Sequence, residues 1–529
     1  MARRNEGLET ELAFFRKQLH GPKRDRPAPE AQLLIDELLK ASSAENDDED
    51  PPDDDGGGGS SPESSAEPTD SDEASRPNGG KKGPANAKRL DLIHSELEER
   101  VVTVAADPTL AINPETGKPW PIIRYEETRR LAEEPARLYV MVIRRPVFRT
   151  TNQEGESKLI TTPVPDNNPI ERCKADVSLL ASLLVLKYSL HLPLYRIQET
   201  FQAGTIGMLP RSTLCGWVTG CAFALEPIVK RMTEQIMSQK LIGLDDTTVC
   251  QLLPGNGKVD PRKLWAYTCV LEAAPYVVYD YTPTREACYP QAFVPETFAG
   301  TIQGDAYSGH DQLMNRPGVS GAGCWDHARR YLTDASVHDP NLIAQLLLWI
   351  KDLYAVERLA NEKSLTALER QNLREKESKP LLDQIWAWAL DHKDDPFLKD
   401  SSRTAIGYLL NQWSRLTRFL TDGDIPISNI HTERAMRGVG IGRKNWLFVG
   451  SESGGENLAI ILSIVTTCKN LEIDVRAYLQ DVLSRVNSHP NHRLDELLPD
   501  RWKQLQEEQG RNVSTPERQE WRRPSEFAA

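Results

Sequence analysis

Lys240-Leu241-Ile242-Gly243-Leu244-Asp245-Asp246 and Gly300-Thr301-Ile302-Gln303-Gly304-Asp305 are two short apolar runs that each end in aspartate. Runs of this length, bounded by polar or turn residues, read as buried strands. Between them lie two further β-runs, over 264–270 and 276–281, after the turn residues Pro254-Gly255-Asn256-Gly257. A helical stretch is expected near 289–298, and a fifth β-run ends near Gly323-Cys324-Trp325.

Three strands, a helix and another strand are the opening order of an RNase H-like α/β sheet. The pattern is interrupted over about 325–420, where the apolar positions repeat at helical spacing: 346–350, then Leu382, Ile385, Trp386 and Trp388, then Ile406, Leu409, Leu410 and Trp413. This reads as a large helical insertion. The α/β pattern resumes at 424, and 458–469 reads as a buried helix. The expected core is therefore split into 239–330 and 423–486, around an insertion at 331–422 and ahead of a C-terminal tail at 487–529.

The resumed segment carries one acid among bases: Pro426-Ile427-Ser428-Asn429-Ile430-His431-Thr432-Glu433-Arg434-Ala435-Met436-Arg437, then Gly442-Arg443-Lys444-Asn445-Trp446. We read a short basic helix, capped by Ser428 or Asn429, followed by a Gly-rich basic turn. Glu433 is either a salt-bridge partner of the arginines or a metal ligand beside a polyanion. Asp245 and Asp305 at strand ends, with Glu433 from a helix packed across the sheet edge, would make a three-carboxylate site.

Such a cluster suits Mg²⁺ or Mn²⁺, hard ions that take oxygen ligands and relieve the repulsion among the acids. Two ions roughly 3.5–4 Å apart activate the attacking oxygen and stabilise the leaving oxygen of a phosphodiester. Neighbouring strand residues face opposite ways, so only one of Asp245 and Asp246 can face the metal, and the sequence leaves that choice open.

Arg434, Arg437, Arg443 and Lys444 are candidate phosphate contacts, and Trp446 is a candidate base-stacking residue. Leu447 and Phe448 are expected in the core. His327 and Arg330, in Gly323-Cys324-Trp325-Asp326-His327-Ala328-Arg329-Arg330, could reach the DNA; a structural histidine is the other reading. The turn 450–457 could offer backbone N–H groups to a phosphate, but it has no nucleotide-hydrolysis pattern.

The rest of the chain is organised around this core. Residues 1–40 carry Leu8, Leu12, Phe15 and Leu19 on one helical stripe, which suits a short coiled coil for homo-oligomerisation. Residues 41–89 read as a disordered acidic linker, and 90–170 as a small β-rich module. Residues 171–238 are helical. A Gly-containing turn at 203–207 and a helix opening near Arg211, with Ser212 or Thr213 as N-cap, resemble a helix-turn-helix; a plain helical bundle is the alternative.

The formal charge of −13 does not exclude nucleic acid, because residues 41–80 hold thirteen acids and one arginine, a local −12 that leaves the remainder near −1. The eight cysteines include no CxxC pair, which argues against a zinc ribbon and suits reduced thiols in a cytoplasmic protein. The N-terminus lacks a signal-peptide core, and no run of about 18–20 apolar residues predicts a membrane span.

Five ordered motifs over roughly 170–505 resemble the insertion-sequence 66 family of transposases, of the TnpC type. They are Asp245-Asp246-Thr247-Thr248-Val249 with Lys263-Leu264-Trp265-Ala266-Tyr267; Gln303-Gly304-Asp305-Ala306-Tyr307-Ser308-Gly309; Gly323 to Arg330; the Glu433 segment through Gly455; and His191-Leu192-Pro193-Leu194-Tyr195-Arg196 upstream. Leu497-Leu498-Pro499 also fits.

The resemblance implies a DDE-type catalytic domain with Asp245, Asp305 and Glu433 as metal ligands. It implies DNA as partner, both element ends and target, together with accessory proteins from the same element. The expected activity is metal-dependent phosphodiester cleavage and strand transfer. The alternatives are an inactive DNA-binding derivative and an RNase H-like nuclease without strand transfer.

The chain departs from the family pattern in four places. No cysteine lies between 100 and 160, so the family's zinc module is not expected. Ser428 stands where aspartate precedes Asn429, Asp246 where glutamate is common, and Asp326 where alanine is common.

Overall fold

The computed structural model of the chain describes residues 99–511, apart from 106–111, 114–116, 135–136, 152–156, 163–166, 203–208, 254, 256 and 272–275. The expected coiled coil at 1–40, the expected acidic linker at 41–89, the rest of the region before Glu99, the turn at 203–207 and the last residues of the tail lie outside the described residues.

The N-terminal sheet contains β1 (Glu99–Thr103), β2 (Ile122–Glu134), β3 (Arg137–Thr151) and β4 (Ser157–Thr161). The long β3 pairs antiparallel with β2 and β4 and parallel with β1. Leu131, Val140 and Val142 from this sheet join the same apolar cluster as the following helices and the central sheet.

Three helices follow: α1 (Val177–Leu184), continued by a π-helical turn, α2 (Leu194–Gln202) and α3 (Arg211–Met237). The N-cap of α3 is Pro210, not Ser212 or Thr213. Proline fixes an extended entry and lacks an N–H, so the helix starts directly after it. At 27 residues α3 is long and apolar enough to cross a membrane by length and composition, which the sequence reading did not expect. Its apolar face, including Leu214, Trp217, Cys221, Leu225, Ile228 and Met232, is buried. Arg211 is exposed at its first turn.

The central sheet is built from β5 (Leu241–Leu252), β6 (Val259–Cys269), β7 (Val277–Thr282), β8 (Gly300–Gln303) and β9 (Val319–Ala322). A short α4 (Cys288–Phe293) precedes β8, and α5 (Asp311–Met314) precedes β9. The strand order is β7-β6-β5-β8-β9. The first three strands are antiparallel, and β8 and β9 add in parallel. The β-runs expected around 241, 264, 276 and 300 are all present, although β5 is much longer than its apolar run. Antiparallel pairing with β6 carries β5 on through the polar residues as far as Leu252.

After β9 the chain enters α6 (Trp325–Ser336), α7 (Pro340–Glu362), α8 (Ala367–Leu373), α9 (Lys379–His392) and α10 (Asp400–Leu416). These helices pack about their own cluster, which includes Trp325, Leu346, Ile350, Ile385 and Leu409. The excursion closes on itself. The Gly323 N–H donates to the Arg415 carbonyl (2.9 Å), and the Trp325 N–H donates to the Ile427 carbonyl (3.1 Å). Gln303 Nε2 donates to the Pro426 carbonyl at 2.7 Å. Residues 424–429 therefore return to the point in the sheet where the chain left it.

The fold is completed by α11 (Ile430–Trp446), α12 (Glu452–Asn470), α13 (Val475–Arg485) and α14 (Pro499–Glu508). The expected short helix and Gly-rich turn are one continuous helix, because Gly438, Gly440 and Gly442 all lie inside α11. The turn expected at 450–457 is mostly the start of α12. There the Ser451 hydroxyl accepts the Gly454 N–H at 3.1 Å, so part of that helix terminus is already satisfied.

Helix α12 seals the edge strand β7. The Val277 N–H donates to the Thr467 hydroxyl (3.0 Å), and the Tyr279 N–H donates to Ser463 (2.9 Å). An unpaired strand edge invites association, and side-chain hydroxyls remove that liability here. Replacing Ser463 with Ala leaves the buried Tyr279 N–H unpaired and should cost about 1–3 kcal/mol. The check is the urea midpoint at unchanged slope.

Candidate functional site

Gly243 pairs in parallel with Gln303, the last residue of β8. Two residues further along each chain stand Asp245 and Asp305, at the same level of the sheet. Asp245 is mid-strand, not at a strand end as expected, because β5 outruns β8. It nevertheless sits just beyond the parallel ladder, which ends with β8 at Gln303.

Alternation along β5 puts Asp245 on the same face as Gly243. That face is covered by α11. A Cβ on Gly243 would lie 2.0 Å from the Thr432 hydroxyl and 2.5 Å from that of Thr268. The two threonine hydroxyls bond each other at 2.8 Å. Asn429, at the N-cap position of α11, does not cap the helix with its side chain. It donates instead from Nδ2 to the Leu244 carbonyl at 3.2 Å. The start of α11 is thus tied to the residue before Asp245, and Glu433 lies in that first helical turn.

Electrostatics report the convergence. Burial raises the Asp245 carboxyl well above its ordinary range, and the charges of Asp305, Glu433 and Asp246 push it the same way. The oxygens do not close into a tight cage. Among the described residues, the three donors lying within 4.8 Å of one another are Cys324, His327 and Glu433, not the three carboxylates. Glu433 Oε1 is 3.6 Å from His327 Nδ1 and 3.8 Å from Cys324 Sγ.

Asp246 has a different environment. Its side chain is 1 % exposed and is held by Arg285 Nε at 2.6 Å and Lys263 Nζ at 3.1 Å. Arg285 also reaches Asp305 through Nη2 at 3.0 Å and lies over the Tyr307 ring. Burial works against ionisation of Asp305, but His310 Nδ1 at 3.1 Å, Arg285 and the Tyr307 N–H together hold its carboxyl below the usual range. Arg285, Asp305, Tyr307 and His327 line a polar cleft of about 290 Å³, with Tyr331 and Tyr408 opposite.

The sequence reading did not single out Arg285, His310 or Thr432, gave Cys324 no role and considered Asn429 only as a cap. Arg285 comes from the loop after β7 and His310 from a three-residue 3-10 turn before α5, segments too short to show a periodicity that would mark them. Cys324 stood inside a quoted motif, and its spacing of three from His327 was an available signal. Asp326, unusual at its position, accepts a hydrogen bond from the Tyr354 hydroxyl at 2.5 Å, a contact supplied by the helical insertion.

The candidate DNA contacts divide. Arg330, Arg434, Arg437 and Lys444 are exposed. Arg443 Nη1 donates to the Thr248 carbonyl (2.7 Å) and the Thr247 hydroxyl (3.1 Å), so it clamps α11 to β5. Trp446 is half-buried and packs against the core. Leu447 and Phe448, expected in the core, are 66 % and 39 % exposed. The helix ends at Leu447 with φ of 62°, and the chain there turns outward before Val449 rejoins β5.

Residues 172–457 match the family model described as Transposase IS66 family, and 463–499 match the IS66 C-terminal element. The chain is 31% identical over 400 residues to the uncharacterized protein y4hP of Sinorhizobium fredii, covering 71% of this chain and 70% of that protein. It is 33% identical over 344 residues to y4jD of the same organism, covering 62% and 66% of the two chains. The protein y4qI is 30% identical over 406 residues, covering 72% and 71%. With the family model spanning more than half of its length, this chain belongs to the IS66 family of transposases.

Proposed function

We propose that the protein is a DDE-type transposase with an RNase H-like core, in which Asp245, Asp305 and Glu433 hold divalent metal ions for phosphodiester cleavage and strand transfer. The observation that carries this reading is Asp245, half-buried on the α11 face of β5 and crowded by the charges of Asp305, Glu433 and Asp246. Like charges gathered in a partly buried place are relieved by a cation, and carboxylate oxygens suit Mg²⁺ or Mn²⁺. The 3-2-1-4-5 strand order, antiparallel then parallel, supports the RNase H-like assignment.

When bound, the ions activate the attacking oxygen and stabilise the leaving one. The chain's own residues do the positioning. β5 fixes Asp245 rigidly, Arg285 and His310 hold Asp305 ionised, and Asn429 and Thr432 dock the helix that carries Glu433. The cleft beside Asp305 leaves room for a phosphodiester against His327 and Arg285. Arg330, Arg434, Arg437 and Lys444 supply exposed positive charge for flanking DNA, with Arg211 a further candidate on α3. Asp246 is the counter-ion of Lys263 and Arg285, which leaves Asp245 as the ligand.

The test is a joining assay with the element's end DNA, target DNA and Mg²⁺. Wild-type protein should produce joined strands, and Glu433→Gln should not while still shifting the end DNA on a gel. Cleavage without joining would identify a nuclease. Joining by Glu433→Gln would overturn the assignment.

A further inference from the structure

We propose that Cys324, His327 and Glu433 form a second metal site, selective for a thiophilic divalent ion such as Zn²⁺ or Co²⁺. It lies against the carboxylate set and shares Glu433 with it. The three donors come from two places. Cys324 and His327 are three apart at the start of α6, and Glu433 is on the first turn of α11. The closure of the helical excursion holds these two helix starts side by side, through the Trp325 N–H on the Ile427 carbonyl and the Asn429 N–H on Cys324 Sγ at 3.3 Å.

The spacing is close to that of a tetrahedral ion. Zn–S near 2.3 Å with Zn–N and Zn–O near 2.0–2.1 Å puts neighbouring donors roughly 3.3–3.6 Å apart. The observed separations are 3.6 Å for His327 Nδ1 to Glu433 Oε1 and 3.8 Å for Cys324 Sγ to the same oxygen. Both pairs that include Glu433 need a contraction of only a few tenths of an ångström, and all three donors lie within 4.8 Å of one another.

A second observation points the same way. His327 Nδ1 is buried and makes no hydrogen bond. A buried ring nitrogen without a partner is costly, and a metal ion is one way to satisfy it. The Asn429 N–H aimed at Sγ would stabilise a bound thiolate. The thiol proton would leave as the ion binds. Hard Mg²⁺ has little affinity for sulfur or imidazole, whereas Zn²⁺ and Co²⁺ favour both. The three protein donors leave a fourth position open.

The test uses the full-length protein, reduced and freed of metal, carrying Cys215→Ser and Cys288→Ser to remove the exposed cysteines. Co²⁺ is added and followed by absorption. We expect a thiolate-to-cobalt charge-transfer band with tetrahedral visible bands, saturating at one equivalent. Cys324→Ser should abolish the charge-transfer band.

His327→Gln should weaken Co²⁺ binding by more than about 100-fold, beyond the 10–100-fold cost of losing an outer-shell partner. It is the deciding variant if Cys324→Ser misfolds. A band that survives Cys324→Ser, unchanged affinity in His327→Gln, or no band in the parent protein overturns the inference. Asp245→Asn separates this site from the proposed reaction, because it should silence DNA cleavage while leaving the cobalt band intact. A cobalt site in a protein that never cleaves DNA would sustain this inference and remove the other.

Discussion

Asp245→Asn should abolish cleavage and joining, with a loss of more than about 10³-fold, since losing one preorganised electrostatic group already costs about 10²–10³. The same substitution should make the metal-free protein more stable. Burial and three neighbouring acids raise the Asp245 carboxyl in the folded state. Ionising it therefore disfavours folding, an effect absent below the unfolded carboxyl value of about 3.9 and growing as pH rises through it.

Asparagine removes that charge, so the melting temperature at pH 7 without metal should rise, and the difference should vanish in acid. Asp305→Asn should do the opposite. His310 and Arg285 hold the Asp305 carboxyl low, so its charge stabilises the fold above the unfolded value and is lost as pH falls. Thermal melts of both variants, with and without Mg²⁺, check the pair. A lower melting temperature for Asp245→Asn at neutral pH, or retained joining, would remove the crowded-carboxylate account.

Gly243→Ala is expected to have the second largest effect, although it touches no acid. Its Cβ would meet the Thr432 hydroxyl at 2.0 Å and the Thr268 hydroxyl at 2.5 Å, both in a closed contact. Such overpacking costs about 1–3 kcal/mol. The relief available is for α11 to move off β5, and that carries Glu433 with it. A shift on the order of 1 Å can cost about 10²-fold in rate. We expect the urea midpoint to fall and joining to drop about 100-fold, while end-DNA binding by the exposed arginines persists. Unchanged joining with reduced stability would mean that the docking of α11 does not set the position of Glu433.

Both predictions rest on a contact between β5 and α11, residues almost two hundred positions apart. The strands themselves were readable. Apolar runs at 241, 264, 276 and 300 bounded by turn residues are local signals, and each became a strand. The helical character of 325–420 was equally local. What the runs could not show was where β5 ends. Its polar second half is held by pairing with β6, a tertiary partner, so Asp245 lies inside a strand instead of at its tip.

The glycines of α11 misled in the same way. Gly438, Gly440 and Gly442 suggested a turn, but packing on the sheet and the Arg443 clamp keep the helix intact to Trp446. Leu447 and Phe448 looked like core by hydrophobicity and are exposed, since the helix ends there in a left-handed residue that turns them outward.

The sequence by itself determined the four main strands of the central sheet, the helical character of 325–420 and, through its ordered motifs, the family. Those depend on neighbours along the chain. Only the tertiary structure shows that α11 covers the Gly243 face of β5, the face that strand alternation gives to Asp245. It alone decided that Arg285 and His310 serve Asp305, and that Cys324 and His327 meet Glu433. Contacts between distant segments are set by packing, and no local pattern encodes them.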